Sequence, residues 1–377
     1  MSMLDEALRE SLSDDRDRSF MGKVKEIIPW KGDDIREILR KFVFITAVCF
    51  LIYWAYTAYI YNFGSKTMID DQLHLAELYN SGGSTNTDTN NPPDTQNTAT
   101  TPDDSSDTNE DDRNGDVNAV IPAPPILSNF DAILKINSDA VGWLYIDGIY
   151  LNDTDNLAIN NPVVQNGDND FYLDHDIYKK ESEYGTLYAD FRANVAGVAG
   201  EKRSSNVTIY GHNMKTEYFF HHLRDYNRTS PTFISNHRIV NFSTLYEMDE
   251  YIIFACFLVS VNEEDDNQPI FRYHNCVEFN TDAEFDYWYK NVLYRNYYTS
   301  DIECTIDDEY LTLSTCSFEI SDSRFVVVAR KLRDGEDPSV YTYASNSKKH
   351  MPAKYYKAKG AKVPQDDGPD YEYYIPE

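Results

Sequence analysis

Hydrophobic residues are spread unevenly along this chain, and their pattern divides it into five stretches. Residues 1–41 carry charges of both signs, and residues 42–64 form an apolar run without a charged side chain. Residues 65–125 contain a long acidic stretch rich in Ser, Thr, Asn, Asp and Pro. Residues 126–333 alternate short apolar runs with turn residues, and residues 334–377 are rich in Tyr, Lys and Pro without a clear period. We therefore predict an N-terminal segment, a hydrophobic helix, a disordered tether, one folded domain and a mostly disordered tail.

The apolar run at residues 42–64 predicts a single transmembrane helix. About 20 apolar residues in a helix cross the hydrocarbon layer of a membrane, and Trp54 and Tyr59 are typical of its aromatic border. Lys31 and Lys41 lie on the N-terminal flank, whereas acidic residues follow the run. The positive-inside rule then places residues 1–41 in the cytoplasm and the folded domain outside the cell.

The pattern of short apolar runs and turn residues in residues 126–333 predicts a mainly β domain. It opens with a helical pattern and continues as many short strand-like runs, with one amphipathic helix near residues 282–294 between two late strands. Many short strands with few helices favour a closed β-barrel, here of about eight strands, preceded by N-terminal helices.

Charge and cysteine content narrow the classes of function. The net charge of -29 argues against nucleic-acid binding, which requires a basic surface. The five cysteines show no CxxC spacing, so a zinc knuckle is not indicated, and Cys49 lies within the apolar run. The acidic run Glu263–Asp266 raises the question of calcium, but a solvated charged segment is the favoured interpretation. We predict no metal and no cofactor.

Candidate chemistry is concentrated at the ends of three predicted strands. Cys316 ends one strand-like run and Arg324 begins the next, so a hairpin would place a thiol and a guanidinium at one end of a sheet. His212 follows another strand and the turn residue Gly211. A thiol, a proton donor and a fixed positive charge are the groups that acyl transfer requires.

Three motifs around these residues resemble the sortases, and class B sortases in particular. They are Ile209–Met214 (IYGHNM), Leu313–Cys316 (LSTC) and Arg324–Val327 (RFVV), and the resemblance extends over about residues 130–333. It implies a membrane-anchored cysteine transpeptidase on the outer face of a Gram-positive cell.

The resemblance also implies roles for individual residues. Cys316 matches the nucleophile, His212 the histidine that protonates the leaving amine, and Arg324 the arginine that stabilises the oxyanion. Three neighbouring residues are weaker candidates for supporting hydrogen bonds or substrate contacts: Ser314, Thr315 and Asn213.

Partners follow from the same resemblance. A sortase cleaves a C-terminal sorting signal of an exported protein and forms a thioester with it. An amine of a peptidoglycan precursor or of a pilin then resolves the thioester. Class B sortases often favour signals of the Asn-Pro type. Membrane lipid would contact the chain through the single helix.

Three other functions are open from the residues alone. L,D-transpeptidases use a similar thiol, but their histidine and arginine usually lie close to the cysteine in sequence, unlike His212 here. Papain-like hydrolases place cysteine before histidine, the reverse of this order. A tethered surface protein that has lost activity is the alternative without catalysis.

Overall fold

The computed structural model describes the chain in seven segments, which are residues 26–83, 124–151, 154–196, 202–214, 216–227, 230–365 and 368–369. Contacts divide the chain into two compact units, Met1–Met68 and Ile69–Glu377. The predictions for residues 1–25, for the tether between 84 and 123 and for the last residues of the tail lie outside the described segments.

The first unit contains most of a long helix, α1 (Ile35–Gly83), of 49 residues. Its most apolar 18-residue window has a mean hydropathy of 1.8, and none of that window is buried in the protein. Near its start, Lys41 Nζ lies 2.8 Å from Asp33 Oδ2. By length and composition α1 is able to cross a membrane, as we predicted for residues 42–64.

The second unit is built around a closed barrel of eight strands, which confirms the predicted fold class. Around the barrel the strands follow the order β1-β2-β3-β4-β8-β9-β6-β5. Two neighbouring pairs, β2 with β3 and β4 with β8, are parallel, and the other pairs are antiparallel. The barrel strands are β1 (Ala140–Tyr145), β2 (Asn160–Val164), β3 (Leu187–Ala189), β4 (Asn206–Tyr210), β5 (Ile239–Thr244), β6 (Met248–Ser260), β8 (Tyr310–Ser317) and β9 (Ser323–Lys331).

Strands β6, β8 and β9 form a deeply buried part of the barrel. Each of them reads as a nearly continuous run of buried residues rather than as an alternation. Such a run is typical of a strand that is covered on both faces. Two short strands outside the barrel, β7 (Tyr298–Ser300) and β10 (Tyr343–Ser345), pair with each other.

Four shorter helices accompany the barrel in the described segments: α2 (Asp131–Ile136), α3 (Thr232–Asn236), α4 (Asp282–Arg295) and α5 (Ala353–Ala358). The predicted late helix is α4, and it begins with a capping box between Thr281 and Glu284. Trp288 of α4 is fully buried, with its ring 4.6 Å from that of Tyr310 in β8. This contact fixes α4 against the barrel.

The prediction that the tether begins at residue 65 is wrong for residues 65–83, which are helical. Within the second unit, Leu75 and Tyr79 of α1 belong to a buried cluster with Phe130 and Trp143. The rings of Tyr79 and Trp143 stack at 4.3 Å, and Asn129 Nδ2 donates to the Tyr79 carbonyl at 2.9 Å. The folded domain therefore begins within α1, because these side chains bury their apolar surface against it.

The prediction that residues 334–377 are mostly disordered is wrong for residues 334–365. Glu336 forms an ion pair with the buried guanidinium of Arg330. Tyr343 is buried and donates to the Ile253 carbonyl at 2.6 Å, and Met351 is buried as well. The buried or paired residues of this tail are spaced irregularly along the chain, so no periodic pattern in the sequence reveals that they pack against the barrel.

Candidate active site

The hairpin of β8 and β9 places Cys316 directly opposite Arg324 in the antiparallel ladder. Cys316 is exposed, whereas the residues before it, Ser314 and Thr315, are buried. One guanidinium nitrogen of Arg324 donates to the carbonyl of Ser323 at 3.3 Å. The hairpin thus holds a thiol and a positive charge on adjacent strands at the rim of the barrel.

Parallel pairing of β4 with β8 brings His212 to the same rim. Tyr210 pairs with Ser314, and the Gly211 amide donates to the Ser314 carbonyl at 3.2 Å. The hydroxyl of Thr315 donates in turn to the Gly211 carbonyl at 2.7 Å. His212 follows immediately, so its backbone is held beside the end of β8.

The three predicted residues His212, Cys316 and Arg324 line one cleft of about 340 Å³. Four further stretches of the chain contribute to its lining, within residues 169–173, 186–188, 259–261 and 270–274. A cleft of this size suits a short extended segment of peptide better than a folded protein surface.

The imidazole of His212 has a defined hydrogen bond. Its Nε2 lies 2.7 Å from the carbonyl oxygen of Leu173, and a carbonyl accepts only. The Nε2 nitrogen therefore carries a proton in this arrangement. The contact orients the ring from the opposite side of the cleft.

The three weaker candidates hold the rim together. Asn213 Nδ2 donates to the Cys316 carbonyl at 3.0 Å, and Thr315 binds the loop before His212 as described above. The hydroxyl oxygens of Ser314 and Tyr273 share a hydrogen bond of 2.6 Å. Ser314, Thr315 and Asn213 are buried. Their observed contacts are with protein groups that position the cysteine and the histidine.

A buried carboxylate beside the cleft was missed in the sequence. Asp190 lies just after β3 and is fully buried. Its Oδ2 accepts from Arg192 at 2.7 Å, from Tyr210 at 2.8 Å and from Asn169 at 3.1 Å. Burial would raise the pKa of Asp190, but the hydrogen bonds from Arg192 and Tyr210 lower it below its ordinary value. The Asp190 carboxylate therefore connects Arg192, Tyr210 and Asn169 by hydrogen bonds.

Arg192 extends this network to the far wall of the cleft. It donates to the His274 carbonyl at 2.8 Å and to Asn275 Oδ1 at 3.0 Å. Burial and the positive charge of Arg192 lower the pKa of the His274 side chain. Burial also raises the pKa of Tyr273 to about 12, so this phenol remains neutral and able to donate.

The remaining cysteines of the second unit differ from Cys316 in their surroundings. Cys256 and Cys276 are buried and Cys304 is partly buried. Burial raises the pKa of the Cys276 and Cys304 thiols to about 12 and that of Cys256 further. A buried thiol with a raised pKa is a poor nucleophile. Cys316, exposed in the cleft, has the accessibility that a nucleophile requires.

The acidic run Glu263–Asp266 lies in the chain between the cleft-lining residues Val261 and Ile270, and it has partners within the chain. Asp265 Oδ2 accepts from Lys354 at 2.7 Å, and both carboxylate oxygens of Asp266 lie 3.0 Å from His350 Nε2. In the segments that the structure describes, no group of three or more His, Cys, Asp or Glu residues could hold a metal ion.

Comparisons with known proteins agree with the motifs. No family model matches the chain. It is 26% identical over 206 residues to Sortase B of Staphylococcus aureus, covering 54% of this chain and 75% of that protein. It is 30% identical over 185 residues to Sortase B of Listeria monocytogenes, covering 49% of this chain and 65% of that protein. The predicted resemblance to class B sortases is confirmed.

The fold is also similar to that of a sortase B structure. A solved structure described as a Staphylococcus aureus sortase B-substrate complex has a TM-score of 0.52 and 21% identity to this chain. The match covers 72% of this chain and 100% of that one. The sequence similarity to the two Sortase B proteins supports a cysteine transpeptidase of the sortase type. This similarity disfavours the L,D-transpeptidase and papain-like alternatives.

Proposed function

We propose that this protein is a membrane-anchored class B sortase that attaches exported proteins to an extracellular amine. The proposal rests chiefly on one observation: Cys316 faces Arg324 across the β8–β9 ladder in a cleft that also contains His212. These are the nucleophile, the positive group and the proton donor of an acyl transfer.

In the first half-reaction, the Cys316 thiolate attacks the carbonyl carbon of a peptide bond within the sorting signal. Arg324 stabilises the oxygen, which becomes negative as the C–S bond forms. A doubly protonated His212 keeps its N–H to Leu173 and gives its other proton to the leaving amine as the C–N bond breaks. The products are a thioester on Cys316 and a released C-terminal peptide.

The second half-reaction reverses these roles. An amine attacks the thioester carbonyl, His212 takes a proton from the incoming amine, and the C–S bond breaks to restore the Cys316 thiolate. The resemblance favours an amine of a peptidoglycan precursor or of a pilin as the acceptor. Tyr188 and Phe271 beside the cleft supply apolar surface for substrate side chains.

Residues 42–64 would anchor the enzyme in the membrane of a Gram-positive cell, with residues 1–41 in the cytoplasm and the catalytic domain outside. The exposed apolar surface of α1 supports this arrangement. Protease added to intact cells should cleave the domain from the anchor. Protection of the domain until the cells are lysed would contradict the proposed orientation.

The catalytic proposal can be tested by trapping the acyl-enzyme on the full-length chain in detergent micelles. Intact-mass spectrometry after incubation with an Asn-Pro-type sorting peptide should show a thioester adduct in the wild type and none in Cys316→Ala. Addition of an amine should remove the adduct and yield a peptide joined to that amine. An adduct formed only with a peptidoglycan stem peptide would instead identify an L,D-transpeptidase. A Cys316 unreactive towards peptides and thiol probes would support the inactive surface protein.

A further inference from the structure

The C-terminal segment, residues 343–362, is integrated into the catalytic unit. It begins with β10, which pairs with β7, and Tyr343 is anchored to the carbonyl of Ile253 in β6. Ala353, the first residue of α5, is buried against the unit. The segment is therefore held in place on the barrel side by backbone pairing and buried side chains.

The same segment binds the loop that forms one wall of the cleft. We call residues 261–274 the cleft loop, since Val261 and Ile270–His274 line the cleft. His350 Nε2 lies 3.0 Å from both oxygens of Asp266, whose side chain is 3% exposed. The Tyr294 hydroxyl lies 3.0 Å from His350 Nδ1 and orients the ring.

Lys354 of α5 makes the second attachment, and it reaches two loops at once. Its Nζ lies 2.7 Å from Asp265 Oδ2 in the cleft loop and 3.6 Å from Asp322 Oδ2 in the β8–β9 turn. Asp322 immediately precedes β9, which carries Arg324 as its second residue. Asp322 also accepts the Val261 amide at 2.9 Å through its carbonyl. Lys354 therefore joins the two loops that flank the candidate oxyanion group.

The cleft loop connects Lys354 to residues that line the cleft. Asp265 Oδ2 accepts from Ser260 at 3.4 Å, and Ser260 lines the cleft. At its other end the loop is fixed by the Tyr273–Ser314 hydrogen bond, two residues before Cys316. Between these points Ile270 and Phe271 line the cleft in a stretch that belongs to no strand or α-helix. Arg295 of α4 donates to the neighbouring Pro269 carbonyl at 3.3 Å, so α4 also contacts this part of the loop.

We propose that the C-terminal segment is a brace, which through His350 and Lys354 fixes the cleft loop and thereby sets the affinity for the peptide substrate. Lys354 is a positioning residue in this scheme, because it acts through Asp265 and Asp322. The substrate part of the proposal rests on the proposed sortase function. The mechanical part, the restraint of the cleft loop, does not.

The restraint is tested by hydrogen–deuterium exchange on the full-length chain in detergent micelles. Lys354→Met removes the charge but keeps most of the aliphatic stem. Lys357→Met is the matched control, because Lys357 is exposed on the same helix. We expect faster exchange in residues 261–274 for Lys354→Met, unchanged exchange in the other barrel segments, and wild-type behaviour for Lys357→Met and Lys354→Arg. Unchanged exchange in the cleft loop of Lys354→Met would overturn the brace.

The effect on substrate is tested by kinetics with a fluorescent Asn-Pro-type sorting peptide. We expect Lys354→Met to raise KM by about fivefold while kcat changes by less than about twofold. Binding of the same peptide to the Cys316→Ala background should weaken in parallel. An unchanged KM, or an equal rise in Lys357→Met, would overturn the role in substrate affinity. A wild type without turnover would refute the proposed function, whereas the exchange comparison would still decide whether the brace exists.

Discussion

Cys316 and Arg324 occupy directly opposed positions on β8 and β9, so the distance between their backbones is set by the sheet and not by a flexible loop. A ladder of this kind places the two side chains on neighbouring strands at one rim of the cleft before substrate arrives. In the proposed mechanism, Arg324 is the group that stabilises the charge developing on the substrate oxygen.

This relationship predicts that the shape of the arginine matters as well as its charge. Arg324→Lys retains a positive charge but loses the planar fork of donors, so kcat should fall by about 100-fold or more, equivalent to about 2.7 kcal/mol. Peptide cleavage by the full-length chain in micelles measures this. Arg224→Lys, at an exposed site, is the control and should keep wild-type activity. Equal rates for Arg324→Lys and wild type would remove Arg324 from the oxyanion site.

The buried Asp190 gives a second prediction. Asp190→Asn keeps the size of the side chain but removes the charge that balances Arg192, the residue that holds the His274 carbonyl. Asp190 is fully buried but the Arg192 side chain is 35% exposed, so the loss of the charged hydrogen bonds should cost about 1–3 kcal/mol of unfolding free energy. We expect kcat/KM to fall by about tenfold or more as the cleft walls loosen.

Denaturant unfolding and peptide cleavage on the same preparations measure both effects of Asp190→Asn. Asp307→Asn is a suitable control, since Asp307 is exposed and lies outside the residues that line the cleft. A variant with wild-type kcat/KM but lower stability would show that Asp190 supports the fold without positioning the cleft.

The residues differ in how far the sequence could reveal them. Cys316, His212 and Arg324 stand at the ends of strongly apolar strands, so their meeting at one rim follows from strand pattern and motif. Asp190 looks like an ordinary turn residue after a short strand. Its importance comes from Tyr210 and Asn169, which approach it from separate segments.

The C-terminal segment was mispredicted for a related reason. Its polar contacts connect residues 84 and 89 positions apart in the chain, as in Asp266–His350 and Asp265–Lys354. The periodicity of a sequence indicates only which residues share a face of one helix or strand. Charged residues whose partners lie far away in the chain are therefore predicted to be solvated. The acidic run and the lysine-rich tail gain their meaning only when the fold brings them together.

The end of α1 provides a third prediction, on stability. Leu75 is fully buried in the cluster with Trp143, so Leu75→Ala should reduce the unfolding free energy by about 2–5 kcal/mol. His74→Ala, at the exposed neighbouring position, should change it by less than about 0.5 kcal/mol. Chemical unfolding followed by tryptophan fluorescence measures both. Equal stability of Leu75→Ala and wild type would show that residues 69–83 are not part of the folded domain.

Glu336 provides a fourth prediction, on pH dependence. Its hydrogen bond to Arg330 lowers the pKa of the carboxyl from about 4.5 to about 2, with burial opposing and Tyr341 contributing in the same direction. Because the folded state favours the ionised form, this stabilisation is fully present above pH 4.5. It is lost progressively as the pH falls towards 2.

Glu336→Gln should therefore destabilise the protein by about 3 kcal/mol at pH 7, because it leaves the buried Arg330 without its charged partner. The difference from wild type should shrink between pH 4.5 and 2, because over this range the carboxyl of the unfolded wild type takes up a proton while that of the folded protein stays largely ionised. Thermal unfolding of both proteins across this range measures the effect, with Asp334→Asn as an exposed control. A stability difference that stays constant down to pH 2 would show that the Arg330–Glu336 pair is not the source of the pH dependence, since only a titrating partner can make the difference vary with pH.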